Sequence, residues 1–288
     1  MNSLIPPSSP LFARPAQACD CHVHVFLPRE FPYAQERSYT PGEATAEDLA
    51  VLMQRLGMAR VVLVQPSCYG TDNRALMSVA ALLGKNTARA VAVVDLEAAP
   101  DLASMDRQGV RGLRFNLSVR HEVDVSAAER QLKQAAHLLE PLGWHVQIHA
   151  SAQALAALRP TLAELRVPVV LDHFGGGAAG ASVVGELLRT GKVWVKLSAP
   201  YRASQGEAHQ ELASLTRAWA AIAPQRLLWA SDWPHTGGSG VRISPTEEIE
   251  PFRAVDAAGA LRELEQWIAD DGLLERILVS NPADLYGF

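Results

Sequence analysis

Only three cysteines occur in the 288 residues, and two of them, Cys19 and Cys21, lie two apart in one apolar run. Residues i and i+2 of a strand are poorly placed to bridge, which argues against a disulfide framework and for a reducing, cytoplasmic setting. Basic residues are not in excess either, with Lys and Arg numbering 26 against 31 Asp and Glu, a formal net charge of −5. That balance lacks the positive field that nucleic acid or an anionic membrane surface requires, so neither is an expected partner. Apolar runs long enough to span a bilayer are missing. So are low-complexity tracts, short repeats and the composition shifts that mark linkers. Residues 1–18, with Pro6, Pro7, Pro10 and Pro15, read as a loose N-terminal arm, and 19–288 as one domain. The oligomeric state stays open, a homo-oligomer included.

What is present is a rhythm. The chain is 48% hydrophobic, and short runs of Val, Ile and Leu alternate with amphipathic stretches rich in Ala and Leu. Such alternation marks βα units around a parallel sheet. Strands are predicted near 19–26, 61–65, 89–94, 110–115, 144–149, 168–173, 193–198 and 226–231. Helices are predicted near 45–57, 72–84, 98–108, 126–141, 152–165, 181–190, 206–223 and 257–270. The expected fold is α/β, a single (β/α)8 TIM barrel, with a doubly wound sheet as the alternative. Two insertions, 27–44 and 233–256, follow predicted strand ends, where barrel enzymes place substrate loops.

In such a barrel the chemistry sits at the C-terminal strand ends, and here those ends are polar. His22-Val23-His24 places two imidazoles on one face of the first strand. Gln65-Pro66-Ser67, Arg114-Phe115-Asn116, His149, Asp172-His173, Tyr201-Arg202 and Ser231-Asp232-Trp233-Pro234-His235 follow the later strands. A purely structural barrel would place Val or Leu at most of these positions. An ionised Asp232 has the basicity to take a proton from water attacking an activated ester, and His22, His24 and His173 have the donors to polarise a carbonyl. Planar, permanently charged Arg114, Arg120 and Arg202 suit an acidic ligand. His22, His24, His149 and Asp232 together make a credible set for one Zn²⁺ or Mn²⁺ ion, whereas the competing reading gives His149 to the substrate. His121, His137, His145 and His209 read as surface or packing residues, and Cys19, Cys21 and Cys68 as small packing groups. Gly175-Gly176-Gly177 reads as a flexible loop, and His235 as a residue that could orient Asp232.

The order His-x-His, His149, His173 and Asp232 resembles the amidohydrolase superfamily over nearly the whole chain. More narrowly, the segments Val64–Asn73, Gly112–Asn116, Asp172-His173, Trp229–His235 and Asn281–Tyr286 are similar to the 2-pyrone-4,6-dicarboxylate lactonase group. The resemblance implies a hydrolase that opens a small acidic lactone with Asp232 as general base. It further implies that Arg114, Arg120 and Arg202 grip substrate carboxylates, with Tyr39 and Ser67 as hydroxyl donors. That group works without metal and carries tyrosine where this chain has His149, so metal dependence stays undecided between no cofactor and one divalent ion. A metal-dependent decarboxylase, a sugar-lactone isomerase and a non-catalytic acid-binding barrel are the alternatives.

Overall fold

The computed structural model describes residues 14–118, 123–203, 209–237 and 248–288. Arg120 and His121 lie outside the described residues. Eight strands, β1 Cys19–Val23, β2 Arg60–Val64, β3 Ala88–Ala92, β4 Val110–Asn116, β5 His145–His149, β6 Val169–Leu171, β7 Val193–Ser198 and β8 Leu227–Ala230, pair in chain order. Every ladder is parallel. The ring closes just beyond the ladders, where Asp232 N–H donates to His22 C=O at 3.0 Å and His24 N–H to Trp233 C=O at 2.8 Å. Eight helices cover the barrel: α1 Ala46–Leu56, α2 Arg74–Leu83, α3 Leu102–Arg107, α4 Val125–Leu139, α5 Ala152–Glu164, α6 His173–Arg189, α7 His209–Ile222 and α8 Ala257–Ile268. This is the predicted TIM barrel. Among the described residues, no helix is long and apolar enough to cross a membrane.

Alternation along the strands divides the core in two. Val61, Leu63, Val169, Leu171, Val193 and Val195 point outward against helix residues such as Leu49, Leu132, Leu155 and Leu187. Val62, Val64, Val91, Val170, Trp194 and Leu228 point inward with Cys19, Cys21 and Tyr286. Each fully buried side chain of this size contributes roughly 1.5–3 kcal/mol. In β1 the register shifts, Asp20 pairing with Val61 but Val23 with Leu63, so three steps of β1 span two of β2. This bulge changes the phase of the strand. Cys19 and Cys21 therefore share the interior with Val62 and Val64, while His22 and His24, of the opposite phase, also reach the central pocket.

Several boundaries differ from expectation for physical reasons. β1 ends at Val23, short of residue 26, because Phe26 leaves the barrel to exchange two backbone hydrogen bonds with Ala44, both at 2.9 Å. Helix α6 begins at His173, ahead of the predicted 181, but Phe174, Gly175, Gly176 and Gly177 have φ of 54–85°. The triple glycine thus winds the chain left-handed before the regular helix starts, a conformation glycine adopts at little cost. The two insertions meet in a short parallel pair, Thr40–Pro41 with Ile249–Glu250. The C-terminal stretch, for which no helix was predicted, is helical over Asp271–Glu275 and Asn281–Tyr286, and it brings Tyr286 into the interior cluster. The described end of the expected arm is fastened, since Arg14 pairs with Glu265 at 2.6 Å and donates to the carbonyl of Leu56.

Gly112 of β4 faces the ring of buried His145, and a Cβ there would lie 2.5 Å from its Cε1 and Nε2. Gly112→Ala should cost about 1–3 kcal/mol through overpacking. An unchanged urea midpoint would show that the His145 ring has room to move.

Candidate active site

The seam between β8 and β1 presents Asp232. Its φ of 63° is a left-handed conformation that a residue with a side chain seldom takes. Bonds on both sides hold it there, from its own N–H to His22 C=O and from His235 N–H to its carbonyl at 2.9 Å. One carboxylate oxygen, Oδ2, accepts from Arg202 Nε and from Tyr201 OH, each at 2.8 Å. The other, Oδ1, lies 3.8, 3.7 and 3.7 Å from Nε2 of His22, His24 and His173. Burial opposes the charge of Asp232, but Arg202 and the nearby imidazoles outweigh it and hold the carboxyl well below the usual range. It is ionised at neutral pH, with one oxygen tied and the other facing three rings.

Each ring is steered from its far edge. His24 Nδ1 donates to the carbonyl of Val64 at 2.7 Å, which leaves its Nε2 as a bare acceptor. His173 Nδ1 is 2.9 Å from Ser198 Oγ, and the φ of 50° at His173 turns its ring toward Asp232. His22 Nδ1 lies between Lys196 Nζ at 3.3 Å and Asp172 Oδ1 at 3.2 Å. Burial pushes His22 down to about 4 and His24 and His173 well below their ordinary value, so all three are neutral at pH 7.

A second polar layer supports the first. Asp172 Oδ2 accepts from Arg114 Nε at 3.3 Å and from Gln147 Nε2 at 3.2 Å, and Lys196 donates to Gln147 Oε1 at 2.7 Å. Burial pushes the Lys196 amine down while Asp172 opposes that shift. Asp20 fastens the seam from behind, its Oδ1 accepting from the N–H groups of Ser231 at 3.0 Å and His22 at 3.2 Å. The sequence places Asp172 and Tyr201 among the polar strand ends without a specific role for either, and gives none to Lys196 or Gln147. The available signal was a polar residue interrupting an apolar strand, Val-Trp-Val-Lys-Leu-Ser for Lys196 and His-Val-Gln-Ile-His for Gln147.

The described residues gather part of the expected ligand set. His22, His173 and Asp232 offer ligand atoms within 4.8 Å of one another, and His24 Nε2 stands 3.2 Å from His22 Nε2. His173, expected nearby, lies in this cluster. His149 stands edge-on to His173 with centroids 4.9 Å apart, and its buried Nδ1 has no hydrogen-bond partner among the described residues. Arg114 is buried between Asp172 and the carbonyl of Gln65, and Arg202 reaches from Asp232 to the carbonyl and hydroxyl of Thr236. Tyr39 is buried, whereas Ser67 opens the short helical turn after β2 and is half-buried. His235 Nδ1 is 3.3 Å from Tyr201 OH, beside the cluster. His209 pairs with Glu263 at the surface, and His145 is enclosed beside Tyr286.

Residues 19–288 match the family model described as Amidohydrolase. The chain belongs to the amidohydrolase family. This amidohydrolase is 36% identical over 281 residues to a 2-pyrone-4,6-dicarboxylate hydrolase of Comamonas testosteroni, covering 87% of this chain and 91% of that one. It is 33% identical over 291 residues to a 4-sulfomuconolactone hydrolase of Rhizobium radiobacter, covering 97% and 93%. Its fold superposes with a TM-score of 0.78 on an Acinetobacter baumannii protein described as a probable 2-pyrone-4,6-dicarboxylic acid hydrolase and solved with citric acid bound. That match has 26% identity and covers 94% of this chain and all of the other.

Buried histidines also set the protein's response to acid. His22 and His235 are pushed down to about 4, and His145 and His149 to about 3, chiefly by burial. Below pH 6.5 the unfolded chain binds protons at these rings and the native state does not, so stability falls as pH drops from 6.5 toward 4. Asp20 works the other way, raised by burial to about 6, but it is one group against several. The melting temperature should therefore decline steadily over that window. A flat profile between pH 6.5 and 4 would contradict these environments.

Proposed function

We propose that this amidohydrolase opens a small acidic lactone by water attack on the ester carbonyl, with Asp232 as general base. The observation that carries this reading is the division of labour on Asp232. Oδ2 is fixed by Arg202 and Tyr201, while Oδ1 is ionised and directed at neutral imidazoles. A carboxylate so held can take a proton from water at Oδ1 without turning away. The water oxygen bonds to the carbonyl carbon, the ring C–O bond breaks, and the departing oxygen takes up the proton. The products are a carboxylic acid and a hydroxyl group, or its keto tautomer. In the metal-free state His173 supports the oxyanion: with Ser198 donating to Nδ1, its Nε2–H is free to meet the carbonyl oxygen.

The donor set fits one divalent ion such as Zn²⁺ or Mn²⁺, since the bare Nε2 of His24, the adjacent Nε2 of His22, His173 and Asp232 Oδ1 converge. Such an ion, when bound, supplies Lewis-acid polarisation of the carbonyl. The relatives' substrates are acidic lactones, and the basic groups around this pocket suit the same class. Arg202 keeps 21% of its side chain exposed beside the cluster, and Arg114 stands behind it. Together with Arg120 and the hydroxyls of Ser67 and Tyr39, they form the proposed grip on the acid groups, with His149 as a further proposed substrate contact. 2-Pyrone-4,6-dicarboxylate is the leading candidate substrate.

Hydrolysis of a panel of lactones, including 2-pyrone-4,6-dicarboxylate, 4-sulfomuconolactone and sugar-acid lactones, should reveal turnover, assayed before and after chelation. Asp232→Asn should lower kcat on the active member by about 10²–10⁴-fold with the fold retained. Undiminished turnover in that variant would remove Asp232 from the role of base. Absence of turnover across the panel in either state would redirect the assignment to decarboxylation. Arg202→Met should raise KM for a dianionic lactone much more than for a monoanionic one, and equal effects on both would refute its grip on substrate.

A further inference from the structure

Beneath His22 lie two buried groups that the proposed hydrolysis does not use. Lys196 is fully enclosed, with its Nζ 3.3 Å from His22 Nδ1, and Asp172 Oδ1 lies 3.2 Å from the same nitrogen. An amine, charged or neutral, has protons to donate, whereas an ionised carboxylate only accepts. His22 Nδ1 thus has a donor waiting for its lone pair and an acceptor waiting for its proton at nearly equal distance. We propose that Lys196 and Asp172 make His22 a tautomer switch, which lets one pocket stand either metal-free or as a one-metal site.

The other edge of the ring fixes which form goes with which state. His24 gives its only proton to the carbonyl of Val64, so its Nε2 is bare, and His22 Nε2 is 3.2 Å away. Two bare nitrogens at that separation would set lone pair against lone pair. With Lys196 donating to Nδ1, His22 carries its proton on Nε2 and gives it to His24. Donors then run in one direction from Lys196 through His22 and His24 to Val64. In this arrangement Asp172 Oδ1 is left buried with no aligned hydrogen bond, although Lys196 Nζ is also within 3.6 Å. It is the unused half of the switch. A cation at His22 Nε2 needs that lone pair, so the Nε2 proton leaves to solvent and one is taken up at Nδ1, which then donates to Asp172. The proton count of His22 does not change, and Lys196 keeps its bond to Gln147 at 2.7 Å. Lys196 is accordingly a positioning residue, acting on the reaction through His22.

The switch rests on reading the cluster as a one-metal site and is independent of the lactone, so its test needs no turnover. Protein carrying ¹⁵N-labelled histidine and stripped by chelation is studied by NMR and titrated with zinc. Metal-free protein should show His22 protonated on Nε2 with coupling across to His24, and stoichiometric zinc should move the proton to Nδ1. Lys196→Met should place it on Nδ1 before any zinc is added. By removing the competing tautomer, that variant should tighten zinc binding about tenfold in calorimetry. If Lys196→Met does not fold, the wild-type pair of spectra decides alone. Protonation on Nδ1 in the metal-free protein, an unchanged tautomer on zinc addition, or no zinc uptake would each overturn the switch. Loss of the lactone assignment would leave these spectra unaffected.

Discussion

The closure of β8 onto β1 is the constraint on which the rest of this site depends. Two backbone hydrogen bonds, Asp232 N–H to His22 C=O and His24 N–H to Trp233 C=O, hold the seam, and Asp20 reinforces it through Ser231 and His22. Because no regular ladder spans this join, the chain there is free to take the left-handed turn that aims Asp232 inward. The residues flanking the seam bonds are the same ones that face one another across the pocket. A shift of one residue at this point would separate Asp232 from His22 and His24.

Burying so many polar groups in a barrel core is costly unless each finds a partner. The structure meets this cost in two layers. At the mouth, three imidazoles stay neutral because burial disfavours their charge, and the single carboxylate among them is held ionised by Arg202 and Tyr201. One step deeper, Asp172 gathers Arg114, Gln147 and Lys196, so that opposite charges lie within contact distance. Two of the orphaned buried atoms among the described residues, His149 Nδ1 and Asp172 Oδ1, lie beside the cluster, where a ligand or a change of tautomer can use them.

Much of this was legible in the sequence because the fold is written in local signals. Short apolar runs at regular spacing can bury both faces only in a parallel sheet covered by helices, and eight such units close most simply into a barrel. The polar strand ends stood out against that background, so His22, His24, His173 and Asp232 were identifiable before any contact was known. The segments that escaped have weak local signals. Asp271–Tyr286 forms helices because Tyr286 docks in the barrel interior, and the pairing of Thr40–Pro41 with Ile249–Glu250 joins strands two residues long and far apart in the chain. Nothing in the composition around Asp20 announces the bulge in β1.

By itself the sequence determined the barrel, the family resemblance and the identity of the groups able to do acid–base and metal chemistry, since these follow from periodicity and from residue type at strand ends. Only the tertiary structure decided which of those groups meet. His173, itself at a left-handed φ of 50°, stands with His22 and Asp232, while His149 lies edge-on beside it. Arg202 bonds to Asp232, and Lys196 and Asp172 lie at the hidden edge of His22. Distances of a few ångströms between residues as far apart as 22 and 196 depend on how twist, bulge and closure combine around the ring, and no local stretch of sequence carries that sum.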